Sequence, residues 1–233
     1  SKPLTGGDGS YTLRVQDRDE YGNTVCSDST TFTLNTVAPT VSFAGPSSSP
    51  INSSGTTNFT LTFSDAASTT LTNGSGSGIT LVTTGTVAAC AATVNSPTTA
   101  GATVTVTGCT GDGTVAIKLD ANTLDNGAGT KNVLSSASST ATVNNTAPTV
   151  SFSGPTGSPI NSSGTATYTL TFTGAASTTL TNGSGSGITL VTTGTVASCT
   201  ASAQTPTASG ATVTVTGCTG GGTVAIRLNA NTL

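Results

Sequence analysis

The 233 residues carry a formal charge of −3, with 6% charged side chains and no histidine, methionine or tryptophan. Six basic residues are too few to neutralise a phosphate backbone, so nucleic-acid binding is excluded. Without histidine there is no Ser-His-Asp triad, no Cys-His pair and no His-ligated metal, and no apolar run is long enough for a membrane-spanning helix in this segment.

What remains is dominated by small hydroxyl and branched side chains, with 55 threonines and 30 serines. Branched residues suit a pleated strand and lose rotamer freedom in a helix, so the expected fold class is all-β. A mildly apolar chain with so little net charge is the reverse of a disordered one.

The architecture follows from a repeat. Ala38-Pro39-Thr40-Val41-Ser42-Phe43 returns as Ala147-Pro148-Thr149-Val150-Ser151-Phe152, an offset of 109 that holds without a gap to the end of the chain. Across the 87 aligned positions there are 19 differences, leaving 68 identities. Such a period suits one small β-sandwich of about 100 residues. Residues 38–146 are therefore read as one complete repeat, and 147–233 as a repeat lacking its last strand or strands. Residues 1–37 are read as the C-terminal part of a further domain. The chain is expected to be a slice of a longer polypeptide that begins inside one domain and ends inside another.

In chain order, Gly9-Ser10-Tyr11-Thr12-Leu13 stands where Gly113-Thr114-Val115-Ala116-Ile117 stands later. Phe59, Leu61 and Phe63 alternate with polar residues, then Ile79 and Leu81, Val104 and Val106, Val115, Ile117 and Leu119, and Ala141 and Val143. In the duplicate, Tyr168, Leu170 and Phe172 repeat the first of these runs. Period-2 alternation broken by Gly/Pro/Asn/Ser turns predicts seven or eight short strands per unit, each with one apolar face. That is an antiparallel β-sandwich without helices.

Cys90 and Cys109 flank a hairpin predicted to turn near Ser96–Gly101, with 92 opposite 107 and 90 opposite 109. That register makes a cross-strand disulfide natural, although Cys109 then has the wrong parity unless Gly108 forms a bulge. The duplicate repeats the pair as Cys199 and Cys218; the alternative is buried free thiols. Disulfides imply an oxidising, exported location. Cys26 is left over, and the aligned position of the complete repeat holds Ser135.

The stretch Asp8-Gly9-Ser10-Tyr11-Thr12-Leu13-Arg14-Val15, the turn Asp17-Arg18-Asp19-Glu20-Tyr21-Gly22-Asn23, the strand Thr31-Phe32-Thr33-Leu34 and the junction Ala38-Pro39-Thr40 resemble the Ig-like repeats of giant bacterial surface adhesins. The complete repeat keeps the junction Asn145-Thr146-Ala147-Pro148-Thr149 and a looser turn, Asp125-Asn126-Gly127-Ala128-Gly129-Thr130. The resemblance implies tandem immunoglobulin-like sandwiches arranged as a rod. It also implies a structural extender, either a stalk or a filament repeat, on the bacterial cell surface. A junction of few residues around a proline agrees with a stiff joint.

Chemistry is sparse. In the duplicate, Asp65, Asp112 and Asp120 become Gly174, Gly221 and Asn229, and residues 147–233 contain no Asp, Glu or Lys. General acid–base catalysis has almost nothing to work with there, so no enzyme and no catalytic residue is expected. Asp17, Asp19, Glu20 and Asn23 offer the hard oxygens that calcium prefers, against the alternative of a solvated acidic turn. The complete repeat offers only Asp120, Asp125 and Asn126 at the corresponding place. The glycine loops Asn73–Gly78 and Asn182–Gly187 lack a following helix and a lysine, so they are read as loops and not phosphate cradles.

Two other roles fit the same residues. Loop tips could grip a glycan or a neighbouring cell, or one chain could complete another by strand exchange to build a filament. The expected partners are neighbouring repeats of the same polypeptide and laterally associated copies.

Overall fold

The computed structural model describes residues 6–26 and 28–233 of the chain. Among them every regular element is a strand, and all pairing between strands is antiparallel. The chain divides into two compact units that meet in sequence at Asn145 and Thr146, so residues 6–37 group with the complete repeat.

In the first unit, β1 (Gly9–Leu13) pairs with β4 (Thr30–Leu34), and β2 (Gln16–Arg18) with β3 (Thr24–Cys26). The stacked rings of Tyr11 and Phe32 sit 5.5 Å apart on the first of these pairs. The repeat body follows as β5 (Thr40–Ala44), β6 (Thr56–Ser64), β7 (Ser68–Thr69), β8 (Ile79–Thr83), β9 (Ala91–Asn95), β10 (Gly101–Thr107), β11 (Gly113–Leu119), β12 (Leu124–Asp125) and β13 (Ala141–Val143). One sheet has the order β5-β6-β10-β9, a second β13-β11-β8, and β7 pairs with β12.

The period-2 pattern explains which faces are buried. Along β6, Thr57, Phe59, Leu61 and Phe63 are buried while the residues between them are exposed. On β10, Ala102, Val104 and Val106 are buried between half-buried neighbours, and Val115, Ile117 and Leu119 come inward from β11. These side chains form a single apolar cluster with Ile51, Val94, Leu124, Ala141 and Val143.

The second unit repeats the plan with β14 (Thr149–Thr156), β15 (Thr165–Thr173), β16 (Ile188–Thr192), β17 (Thr200–Thr207), β18 (Gly210–Thr216) and β19 (Val224–Leu228). Its sheets have the orders β14-β15-β18-β17 and β16-β19. Its core gathers Ala166, Tyr168, Leu170, Phe172, Ala203, Val213 and Val215.

The cysteine hairpin differs from the sequence expectation by one residue. Ala92 lies opposite Val106, not Thr107, and Val94 lies opposite Val104. Directly opposed side chains share a face, so this register puts Val94 and Val104 together in the core, where both are fully buried. The expected register would have set Val94 against Thr105. Beyond the ladder, Ala89 (φ 54°) and Gly108 (φ 68°) are both left-handed and redirect the chain next to each cysteine. Ser198 and Gly217 repeat that geometry in the second unit, with φ of 54° and 71°. The sulfurs of Cys90 and Cys109 stand 2.09 Å apart, and those of Cys199 and Cys218 2.04 Å apart.

Candidate functional site

The acidic turn 17–23 is built around one carboxylate. Asp19 accepts the backbone N–H of Tyr21 (3.0 Å) and of Asn23 (2.7 Å) on one oxygen and the Asn23 side-chain amide (2.8 Å) on the other. The Asn23 amide, with the backbone donors behind it, holds the Asp19 carboxyl below the usual carboxylate range. Asp17 accepts the adjacent N–H of Arg18, and Glu20 is exposed. Among the described residues, no three Asp, Glu, Cys or His side chains gather where they could hold a metal ion. Through its bonds to Tyr21 and Asn23, Asp19 acts as a turn-closing acceptor.

The corresponding residues of the complete repeat also go separate ways. Asp120 accepts the Thr80 hydroxyl at 2.6 Å. Asp125 accepts the N–H of Gly127 and pairs with Lys131 at 3.3 Å, and these donors, the Gly127 N–H first, lower its carboxyl. Both Asp19 and Asp125 are depressed in the folded state, so their contribution is present above the ordinary value of 3.8 and is lost as pH falls through the lower folded value. The expected result is loss of amide protection in turns 19–23 and 125–131 only below that ordinary value, while EDTA leaves the melting temperature unchanged. A drop in melting temperature on chelation would show a bound cation.

Asn126 is the residue whose role the sequence did not disclose. It is buried, and its amide donates to the carbonyls of Asn35 (3.0 Å) and Val37 (2.9 Å). Its side-chain oxygen accepts the N–H groups of Ala128 (2.9 Å) and Thr130 (3.0 Å), fixing its own turn. Asn35 is held a second time, its amide lying 3.2 Å and 3.3 Å from the two carboxylate oxygens of Asp65. The backbone of the segment that leads into β5 is thus fastened to the turn after β12 by the Asn126 side chain.

Asn145 performs the matching task where the chain leaves the same repeat. Its amide donates to the carbonyls of Cys109 (3.1 Å) and Gly111 (2.7 Å), its oxygen accepts the N–H of Ser53 (2.6 Å), and its own N–H meets Asp112 at 2.6 Å. Asn-Gly and Asn-Thr-Ala-Pro read in sequence as turn and junction chemistry, which is local. The clamps are long-range, and no local signal announces them. Asn126→Ala leaves the carbonyls of Asn35 and Val37 without a protein donor, at an expected cost of about 1–3 kcal/mol. The check is amide exchange, which should rise at residues 35–40 first.

The remaining sequence candidates are structural. The loop Asn73–Gly78 lies against β9, with Gly74 N–H on Val94 O and Val94 N–H on Ser75 O. A side chain at Gly76 would meet the Ala92 carbonyl at 2.5 Å, so the loop is packed down and forms no cradle. Cys26 is exposed and carries a free thiol. Among the described residues, no buried side-chain nitrogen or oxygen lacks a hydrogen-bond partner. Comparison with protein-family models, with curated proteins and with solved structures yields no match.

Proposed function

We propose that this chain is a non-catalytic structural extender, made of tandem Ig-like sandwiches, in a long secreted surface protein of the bacterial adhesin kind. The observation that carries the reading is the use of Asn126 and Asn145. Asn126, inside the repeat, directs its amide to the carbonyls of Asn35 and Val37 just ahead of it, and Asn145, at the repeat's end, directs its own back to the carbonyls of Cys109 and Gly111. A protein that uses asparagine side chains, one buried and one half-buried, to fix the segments leading into and out of a repeat is suited to bearing position, not to turnover. Near-identity of two successive repeats supports the same role, since stacking requires only that each unit present the same ends.

The secreted location is supported by two cysteine pairs at disulfide distance, bonds that persist in oxidising compartments. Low charge supports a non-enzymatic role, because a repeat with no Asp, Glu or Lys has no conventional acid or base beyond its tyrosine and arginine. The experiment is immunogold labelling of unpermeabilised source cells together with the denatured mass of the labelled polypeptide. Surface label and a mass of several hundred kilodaltons are expected. Label confined to the cell interior, or a mass no greater than that of these residues, would overturn the proposal.

A further inference from the structure

An asparagine followed by glycine loses its side-chain amide readily, because glycine has no side chain to shield the next backbone nitrogen. Three such steps occur in the chain, Asn73-Gly74, Asn126-Gly127 and Asn182-Gly183. The reaction needs only water. The glycine nitrogen attacks the asparagine side-chain carbonyl carbon, a C–N bond forms, and the amide nitrogen leaves as ammonia, taking up the proton that the glycine nitrogen gives. Water then opens the five-membered imide to a carboxylate, as aspartate or isoaspartate.

The fold restrains both reacting groups at every one of these steps. Asn73 accepts the Ser96 N–H at 3.0 Å on its side-chain oxygen, and the Gly74 N–H donates to Val94 O at 2.8 Å. Asn182 accepts the Thr205 N–H at 3.0 Å, and the Gly183 N–H donates to Ala203 O at 2.7 Å. Asn126 is held at both ends of its amide, by the N–H groups of Ala128 and Thr130 on the oxygen and by the carbonyls of Asn35 and Val37 on the nitrogen. The Gly127 N–H donates to the Asp125 carboxylate at 2.7 Å, and that negative charge opposes loss of the proton. A side chain that cannot turn, beside a nitrogen that keeps its proton, does not close the ring.

The three locks differ in what must open. Val94 and Ala203 are fully buried within their sheets, so the first and third steps are freed only when a sheet comes apart. Asn126 rests instead on residues 35–37, which lie between β4 and β5 and outside both strands, with Thr36 and Val37 exposed. A short segment of that kind opens far more often than a core strand. Its departure removes two of the four bonds to Asn126 and the cover over the leaving amide. Gly127 cannot be replaced by a bulkier residue that would slow the attack. Its φ is 80°, and a side chain there would begin 3.0 Å from the Ala67 methyl.

We propose that Asn126-Gly127 is a deamidation site gated by residues 35–37, and that its conversion to a carboxylate keeps that segment from closing again. The two ends of the Asn126 amide serve different masters, which makes the change selective. A carboxylate still accepts the N–H groups of Ala128 and Thr130, so the turn survives. It has no N–H for the carbonyls of Asn35 and Val37, and it sets a negative charge against their oxygens at a buried position. The isoaspartate product also lengthens the main chain by one carbon and disrupts the turn. The site thus keeps a covalent record of openings of the segment ahead of β5. This inference stands apart from the extender reading, because it rests on the bonding of one side chain.

The test incubates the 233-residue chain and a synthetic peptide of residues 119–131 in mildly alkaline buffer. Mass spectrometry then follows conversion at Asn126 in the tryptic fragment that Lys118 and Lys131 delimit. The folded chain should convert about tenfold or more slowly than the peptide. Asp65→Gly removes the carboxylate that holds the Asn35 amide; the duplicate already has Gly174 there, and glycine suits the φ of 61°. It should speed conversion at Asn126 about threefold or more and leave Asn73 at the parent rate. Asn126→Asp, the product itself, should raise amide exchange at residues 35–40 while Ala128 and Thr130 stay protected, whereas Asn126→Ala loses both. Equal rates in chain and peptide would overturn the proposal, as would an Asn126 rate indifferent to Asp65→Gly or a rise shared by Asn73. Unchanged protection of residues 35–40 in Asn126→Asp would overturn it as well.

Discussion

Phe59→Ala is expected to destabilise the first unit by about 3–5 kcal/mol, the range for deleting a fully buried phenylalanine from a core that relaxes only in part. Phe59 sits on β6 opposite Val104 of β10, which in turn faces Val94 of β9, and all three are fully buried. The cavity would therefore open in the middle of a row that crosses three strands, where hydrogen bonding holds the backbones and limits collapse. The duplicate has already edited the same row, which reads Tyr168, Val213 and Ala203. There the tyrosine hydroxyl donates to Val224 O at 2.8 Å, and burial raises its pKa. Tyr168→Ala should thus cost both packing and one hydrogen bond, whereas Tyr168→Phe should cost about 1 kcal/mol. Amide exchange resolved by unit is the measurement. A loss under about 2 kcal/mol for Phe59→Ala would mean that the core rearranges to fill the space.

How much of this the chain discloses in advance depends on the range of each interaction. The β6 strand is legible because Phe59, Leu61 and Phe63 alternate within one element, and burial follows the alternation residue by residue. The β9–β10 register is less so. Parity at Cys90 and Cys109 suggests one pairing, but the stronger demand comes from Val94 and Val104, and the left-handed residues Ala89 and Gly108 absorb the discrepancy at the cysteines. Residues 132–140 carry no readable period, since they advance three residues for every two of β11, which turns the Ser135 and Ser138 hydroxyls toward that strand at a spacing neither strand nor helix has. Of the candidate site, the acidic turn was visible as composition and its internal closure by Asp19 was not. Asn126 and Asn145 reach partners up to 92 residues away in sequence, which no local pattern encodes.

Removing the Cys90–Cys109 bridge, by Cys90→Ala with Cys109→Ala, is expected to destabilise the first unit by about 3 kcal/mol. The figure follows from the 19-residue separation, because an uncrosslinked loop of that length regains its closure entropy when the chain unfolds. The bridge ties the open end of the β9–β10 hairpin, beyond the last ladder pair of Ala91 with Thr107, so without it that end relies on the single bridge pair of Ala88 with Thr110. The Cys199–Cys218 pair has the same separation and should contribute a similar amount to the second unit. Reduction of both bridges should therefore raise amide exchange at the cysteine ends of the β9–β10 and β17–β18 hairpins first. Urea unfolding of the two paired variants, followed by exchange at β9–β10 and β17–β18, measures each contribution separately. A change below about 1 kcal/mol in either unit would show that strand pairing alone holds the hairpin. It would also weaken the disulfides as an argument for an oxidising compartment, and with it one support for the proposed location outside the cell.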